Sequence, residues 1–160
     1  MIFVTVGTQL PFDRLIDAME AYAAAHPDEE VRAQTGPVAG AAARWPHLSL
    51  VGQLSPETFD TTFAEARVVV GHAGIGTILS ARTHRRPLIL VPRQHALGEH
   101  RNDHQIATLR HLTGRPGLYA CPDVADLPEL LQQSDLSPAD AAPKGQGATL
   151  IAFLRARIHG

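Results

Sequence analysis

The strongest constraint on the fold is the run Val68-Val69-Val70, which leads directly into the glycine-rich stretch Gly71–Gly76 and then into a helical pattern. A short β-branched run bounded by turn residues is typical of a strand buried on both faces of a parallel sheet. Glycine lets the chain turn tightly between the strand and the helix. This segment therefore predicts one strand–turn–helix unit of an α/β domain.

The rest of the chain alternates in the same way. Further strands are predicted at Ile2–Val6, Val31–Gln34, Leu48–Val51, Pro87–Val91 and Leu118–Ala120. Helices are predicted at Phe12–Ala25, Ser55–Ala66, Gly76–His84, Asn102–Leu112, Val124–Gln132 and Thr149–Ile158. Alternating strands and helices favour an α/β fold, a doubly wound, Rossmann-like parallel sheet with right-handed crossovers.

The length of 160 residues fits one domain with its own core. We expect this domain to span residues 1–133, followed by a Pro-, Ala-, Gly- and Ser-rich linker at 134–148 and a C-terminal helix at 149–160. The apolar stripe of that helix could pack back on the sheet or dock on a partner.

Charge and cysteine content limit the partners and the compartment. The formal net charge is −2, so no global field favours nucleic acid. The lone Cys121 fits a reducing compartment. No apolar run approaches the ~20 residues of a membrane span, and no secretory signal pattern precedes the first strand. We therefore expect a cytoplasmic protein.

Three loops follow predicted strands and should meet at the ligand-binding edge of the sheet: Gly7–Gln9, Gly71–Thr77 and Pro92–Gln105. In the middle loop, glycines precede a helix start, where free backbone N–H groups attract an anion. From spacing alone, this loop is either a phosphate cradle or a tight structural turn.

Two other ligand classes fit the sequence poorly. A dinucleotide fingerprint would need a third glycine where Leu79 stands, and no acidic residue ends the next strand. A Walker loop would need Gly-Lys-Ser/Thr, which is absent. His100 and His104 could share a helical face, but no HExxH pattern occurs, so we expect no metal.

The third loop carries most of the remaining polar side chains. Arg93 follows a strand, so its guanidinium either pairs with a phosphate or carboxylate at the ligand edge or lies on the surface. The polar run Glu99–Gln105 suits recognition of sugar hydroxyls. Alternatively, Asn102 or Asp103 only caps the following helix.

Three segments together resemble one known family: VTVGTQLPFDRL, GHAGIGT and PLILVPRQHALGEHRNDHQIATL. They are similar to the C-terminal domain of family 28 glycosyltransferases over about residues 1–125. The likeness is strongest to short stand-alone donor-binding subunits of bacterial exopolysaccharide transferases. These are relatives of the catalytic half of a two-subunit transferase that adds N-acetylglucosamine to dolichol-linked sugars. The resemblance implies the C-terminal half of a GT-B fold.

The resemblance also implies roles for individual residues. Catalytic roles fall on His72, Arg93 and Asp103; the Gly74–Thr77 helix start, His72 if it is protonated, and Arg93 could carry the charge of the departing diphosphate. Donor-binding roles fall on Gly7, Thr8, Gln9, His72, Ala73, Gly74, Gly76, Thr77, Arg93, Glu99, Asn102, Asp103 and Gln105. Ser80 stands where many relatives have a glutamate that binds the ribose, which makes ribose and uridine recognition less secure than phosphate recognition.

The function implied is inverting transfer of glucose, glucuronate or N-acetylglucosamine from a UDP-sugar to a polyprenyl-diphosphate-linked acceptor in exopolysaccharide biosynthesis. The chain offers no convincing general base, so a membrane-anchored acceptor-binding subunit would supply the base and hold the lipid-linked acceptor. The chain would then lie at the inner membrane through this partner. The alternatives are a non-catalytic nucleotide-sugar-binding regulatory subunit and a sugar-nucleotide epimerase.

Overall fold

Six parallel strands form a sheet whose order is β3-β2-β1-β4-β5-β6. The structure is a computed structural model that describes residues 1–7, 10–36 and 41–141. The strands are β1 Ile2–Thr5, β2 Val31–Gln34, β3 Ser49–Val51, β4 Val68–His72, β5 Leu88–Val91 and β6 Leu118–Ala120. This arrangement confirms the predicted doubly wound parallel sheet, with all six strands where the sequence placed them, to within two residues at each end.

The helices connect successive strands. They are α1 Asp13–Ala25, α2 Ala41–Arg44, α3 Pro56–Glu65, α4 Ile75–His84, α5 His104–Leu112 and α6 Leu127–Gln132. At the start of α3 the predicted cap is present, since Ser55 Oγ accepts the Thr58 N–H at 3.2 Å and Pro56 opens the helix. No helix within the described residues is long and apolar enough to cross a membrane.

Two helical segments differ from the sequence prediction. The four-residue α2 was not predicted, because so short a segment shows no helical period; the buried Trp45 directly follows it. The helix predicted at Val124–Gln132 is divided into a 3-10 turn, Val124–Asp126, and α6. Pro lies in the first turn of α6, where its missing N–H costs no intrahelical bond.

Side chains on the two faces of the sheet form two cores. On one face, Leu15, Ile16 and Met19 of α1 and Leu127 and Leu131 of α6 pack on alternate strand residues. The other face is covered by α3, α4 and α5. Full burial of each large apolar side chain contributes roughly 1.5–3 kcal/mol to stability. Both faces of the sheet carry such side chains because helices cover both faces.

The start of the predicted linker is irregular chain, and it packs on the domain. Ala139 is fully buried, and the Ser137 N–H donates to Tyr119 Oη at 2.7 Å. Arg82 Nε donates to the Asp140 carbonyl at 3.1 Å. The remainder of the predicted linker and the predicted C-terminal helix lie outside the described residues.

Replacing Gly117 by alanine should disrupt this docking. Gly117 has φ +72°, and an added Cβ would overlap the Ala139 backbone. We expect a loss of about 1–3 kcal/mol from the overlap, in addition to about 1–2 kcal/mol for the left-handed backbone. Urea unfolding of Gly117→Ala measures the sum.

Gly114→Ala is the matched control. Gly114 also has a positive φ, +83°, but no atom lies within 4 Å of an added Cβ. The control should therefore show only the backbone contribution. Equal losses of unfolding free energy in the two variants would mean that Ala139 is not docked at Gly117 in solution.

Candidate functional site

The loops after β1 and β4 meet at the centre of the carboxyl edge of the sheet. These strands pair directly, with Thr5 opposite Gly71. The chain leaves β1 toward α1 on one face and β4 toward α4 on the other. A crevice opens where neighbouring connections diverge in this way, and it is the usual ligand site of such sheets.

The imidazole of His72 lies between two glycines at this point. A Cβ added to Gly7, which has φ +78°, would lie 2.8 Å from His72 Cε1. A Cβ added to Gly74 would overlap His72 Nε2. Both glycines are therefore required for the position of the ring, and the motif histidine joins the β1 loop to the β4 loop.

His72 is neutral in the free chain at pH 7. Burial, the positive charge of Arg93 and the nearby His100 lower the pKa of His72 from 6.5 to about 4, although the Thr5 backbone partly opposes them. Its Nδ1 atom is buried and has no hydrogen-bond partner of normal geometry among the described residues. The protonated His72 considered at the sequence level is therefore not the resting form; the ring is a neutral donor and acceptor.

The amino end of α4 supplies free backbone donors beside this ring. Gly74 is the N-cap and has no side chain to satisfy them, and the first bond within the helix runs from the Ile78 N–H to the Gly74 carbonyl at 3.2 Å. The N–H groups of Ile75, Gly76 and Thr77 therefore lack acceptors within the helix. Together with the helix dipole they can bind an anion.

The packing around these donors leaves one side open. An added Cβ on Gly76 would meet no atom within 4 Å, so the chain is accessible there. Ala73 and Thr77 are buried, and a Cβ on Gly71 would lie 2.9 Å from Thr77 Cγ2. The turn is therefore anchored on its inner side and exposed at Gly76, the geometry that the phosphate-cradle interpretation requires.

Arg93 follows β5 as predicted, but its side chain is buried. It is 2% exposed, and its Nη1 donates to the carbonyls of Pro11 at 2.6 Å and Glu99 at 3.4 Å. Its Nη2 donates to the carbonyls of Val6 at 2.8 Å and Leu10 at 2.6 Å. The Arg93 guanidinium therefore binds carbonyls of the protein itself. Its contact with donor phosphates stays a prediction.

Glu99 is also engaged within the protein. Arg14 of α1 donates to both of its carboxylate oxygens, at 2.7 and 3.0 Å, and to the Pro92 carbonyl at 2.9 Å. The Gln94 N–H donates to Glu99 at 2.9 Å. Sequence reasoning missed Arg14, whose one signal was its position in the first of the three family-like segments.

Side chains of the polar run before and at the start of α5 bind backbone N–H groups of that helix start and of the loop between β5 and α5. Asp103 is the N-cap, yet its carboxylate accepts the His95 N–H at 2.9 Å rather than capping its own helix. Asn102 Oδ1 accepts the His104 N–H at 3.3 Å. The buried Gln105 accepts the Arg93 N–H at 3.0 Å. Asp103 itself is exposed, so its second oxygen is open to a ligand.

The remaining predicted residues are placed as follows. Thr8 and Gln9 lie outside the described residues. Ser80 is half-buried on α4. His100, which the sequence analysis considered only as a possible metal ligand and as part of the polar run, has a buried Nδ1 without a partner in the described part of the chain. Over the same residues, no three His, Cys, Asp or Glu side chains are grouped as metal ligands.

Two of the open depressions in the described part of the chain lie at opposite edges of the sheet. One, of about 400 Å³, adjoins the crevice and is lined by Pro11, Asp13, Arg14, Leu97, Gly98 and Glu99. The other, of about 450 Å³, lies at the amino edge beside Tyr22 and Arg67, which already bond to Glu29. The carboxyl edge is the better candidate site, because two glycine-containing turns and the uncapped amino end of α4 meet there.

The chain is similar to one protein family and to several solved structures. The family described as glycosyltransferase family 28 C-terminal domain matches residues 1–155. No protein of curated function matches the chain. Similar solved structures include ALG13, with 17% identity and a TM-score of 0.63, and MurG from Acinetobacter baumannii, with 17% identity and a TM-score of 0.59. The glycosyltransferase of kitacinnamycin has 18% identity and a TM-score of 0.60.

The extent of these matches differs between the neighbours. The alignment covers 99% of this chain and 96% of ALG13. It covers 96% of this chain but 49% of MurG, and 97% of this chain but 39% of the kitacinnamycin enzyme. The chain thus spans less than half the length of the two larger enzymes. At these identities the likeness shows a shared fold, which confirms the fold class predicted from the sequence.

The fit of His72 between the glycines can be tested by a double-mutant cycle. We expect Gly74→Ala to destabilise the chain by about 1–3 kcal/mol, because its Cβ overlaps the imidazole. In a His72→Ala background the same substitution should cost much less, giving a clear coupling energy in urea unfolding. As a control, Gly76→Ala should be neutral or stabilising. Additive effects of the Gly74 and His72 substitutions would contradict this packing.

The pH dependence of stability should report the buried imidazole. Because the folded pKa of His72, about 4, lies below the unfolded value of 6.5, its contribution is fully present above pH 6.5 and is lost as the pH falls toward 4. His72→Gln should flatten the stability curve in that window, and NMR titration should find the wild-type ring neutral at pH 5.5. A ring that titrates near 6.5 would refute the desolvated position.

Proposed function

Because the chain belongs to the glycosyltransferase family 28 C-terminal domain, we propose that it is the donor-binding, catalytic subunit of an inverting transferase that uses a UDP-sugar. The observation that carries the proposal is the uncapped amino end of α4 beside the neutral His72 at the central crevice. Free N–H groups and a hydrogen-bonding ring form a site for a diphosphate. The proposed transfer chemistry rests on the family to which the chain belongs.

In this proposal the donor diphosphate binds at the Gly74–Thr77 turn. The N–H groups of Ile75, Gly76 and Thr77 donate to its oxygens, and open space at Gly76 admits them. His72 adds a hydrogen bond from its partly buried ring. An approaching anion favours the charged imidazole, so the pKa of His72 rises when the donor binds.

The transferred sugar lies toward the β5–α5 loop. The exposed carboxylate of Asp103 is held by the His95 N–H and has a second oxygen for a sugar hydroxyl. Asn102 lies next to it, at the start of α5. A carboxylate accepts hydrogen bonds from hydroxyls, which suits glucose, glucuronate or N-acetylglucosamine alike. The ribose is bound without the glutamate that many relatives have at the position of Ser80.

Transfer then follows inverting chemistry. The acceptor oxygen attacks the anomeric carbon as the bond from that carbon to the diphosphate oxygen breaks, and UDP departs. Negative charge grows on the departing diphosphate, and in this proposal the α4 N–H groups and His72 stabilise it. The proton of the acceptor hydroxyl goes to a general base on the partner subunit.

The partner is proposed to be a membrane-anchored subunit that holds a polyprenyl-diphosphate-linked sugar, in exopolysaccharide biosynthesis. This part of the proposal rests on the resemblance of the three motif segments to stand-alone donor-binding subunits of bacterial exopolysaccharide transferases. Attachment of the chain to the inner membrane, on its cytoplasmic side, would then depend on the partner.

The decisive experiment is a transfer assay with labelled UDP-glucose, UDP-glucuronate and UDP-N-acetylglucosamine, using the chain with and without membranes that contain its partner. Transfer to lipid that requires both components supports the proposal. Turnover of a free sugar nucleotide by the chain alone would favour an epimerase. Binding without transfer in the complete system would favour a regulatory subunit.

Two substitutions should lower transfer while the fold persists. We expect His72→Ala and Asp103→Asn each to reduce kcat/KM at least tenfold, about 1.4 kcal/mol of transition-state stabilisation, because each loses a polar contact with the donor. Urea unfolding verifies that the variants are folded.

Matched controls come from the opposite edge of the sheet. His47→Ala removes an exposed histidine and Asp28→Asn an exposed carboxylate, and both should leave transfer unchanged. Thermal shift with UDP provides an independent check, since ligand at 100 times Kd stabilises the folded chain by about 2.7 kcal/mol. Wild-type rates in the His72 and Asp103 variants would remove these residues from the site.

A further inference from the structure

The Arg93 guanidinium binds both ends of the loop that follows β1 and carries Gly7. Its Nη2 binds the Val6 carbonyl and the Leu10 carbonyl at once, at 2.8 and 2.6 Å. Val6 and Leu10 flank residues 7–9 in the sequence, so one nitrogen holds the two ends of this loop together. The Phe12 ring lies 4.5 Å from the guanidinium carbon and covers it.

The same guanidinium joins this loop to the β5–α5 loop. Its Nη1 binds the Pro11 carbonyl on one loop and the Glu99 carbonyl on the other. The position of Arg93 is fixed in turn by Gln105, which accepts its backbone N–H. On the outer side, the Arg14–Glu99 ion pair connects α1 to the β5–α5 loop a second time.

We propose that Arg93 is a positioning residue that braces these two loops, rather than a ligand of the donor. Through Val6 and Leu10 it holds Gly7 against the His72 ring, and His72 lies beside the amino end of α4. Its effect on donor binding rests on the proposed function. The brace itself rests on the contacts alone.

The hydrogen-bond inventory of the side chain supports this role. The two terminal nitrogens of arginine carry four N–H groups, and here four carbonyls accept from them. A phosphate could take these hydrogens only if the buried Val6 carbonyl or the partly buried carbonyls of Leu10, Pro11 and Glu99 lost their partner, which is costly. Lysine has the charge but not the planar fork, so it cannot bind carbonyls of both loops in this geometry.

The test compares Arg93→Lys with Arg93→Gln by two measurements. The first is amide hydrogen exchange of residues 7–12 in the free chain, and the second is the Kd for UDP. A brace predicts that both variants speed exchange in this loop at least tenfold and weaken UDP binding at least tenfold, with no rescue by lysine. Arg67→Lys, at the opposite edge of the sheet, is the matched control and should change neither measurement.

Two results would overturn the proposal. If Arg93→Lys binds UDP within twofold of wild type while Arg93→Gln loses tenfold, the charge contacts the donor directly. If exchange of residues 7–12 is unchanged in both variants, the loop does not depend on Arg93. A wild-type chain that fails to bind UDP would refute the proposed function, whereas the exchange comparison would still decide whether the brace exists.

A second variant keeps the test decisive if the Arg93 variants do not fold. Arg14→Gln removes the outer ion pair at a partly exposed position, and urea unfolding verifies that this variant is folded. We expect faster exchange in residues 7–12 and a threefold or greater rise in the Kd for UDP. Unchanged values of both measurements in this variant would contradict the coupling of the two loops.

Discussion

The pairing of β1 with β4 is the constraint on which the rest of the molecule depends. It places Thr5 beside Gly71 at the centre of the sheet, and the connections that follow leave toward opposite faces. Two glycine-containing turns thereby meet at one point, with His72 between them. The pairing also requires both faces to be covered, which α1 and α6 do on one side and α3, α4 and α5 on the other.

Desolvation governs the electrostatics of the crevice. Burial disfavours the charged form of both His72 and Arg93, and it lowers the pKa of each. Their protonation states at pH 7 differ because the unperturbed pKa of arginine lies far above that of histidine. His72 becomes neutral, whereas Arg93 keeps its charge and is stabilised by four carbonyls, with Glu99 nearby. The crevice therefore combines a buried cation held by carbonyls, a neutral ring that can donate a hydrogen bond and the positive end of α4, an arrangement that favours an incoming anion.

Local patterns allowed most of the fold to be predicted. The β-branched run of β4, the Ser55-Pro56 start of α3 and the turn at Gly71–Gly76 each have a short-range physical signal. The four-residue α2 has none, because it is shorter than the period that reveals a helix. In the candidate site the sequence predicted the Gly71–Thr77 turn and His72, which the structure brings beside Gly7 at the carboxyl edge of the sheet, and their role in donor binding stays a prediction. It missed Arg14, whose role arises from a contact with Glu99, 85 positions away.

The sequence by itself determined the alternation of strands and helices, the glycine turns and the family. These depend on periodicity, on backbone freedom and on motifs read along the chain. Only the tertiary structure decided which polar groups face the crevice and which are used within the protein. Arg93, Glu99 and Gln105 are polar residues in one short segment, yet all three bind protein groups, whereas Asp103 is exposed. The reason is that burial and hydrogen-bond partners depend on which segments the fold brings together, and no local pattern specifies them.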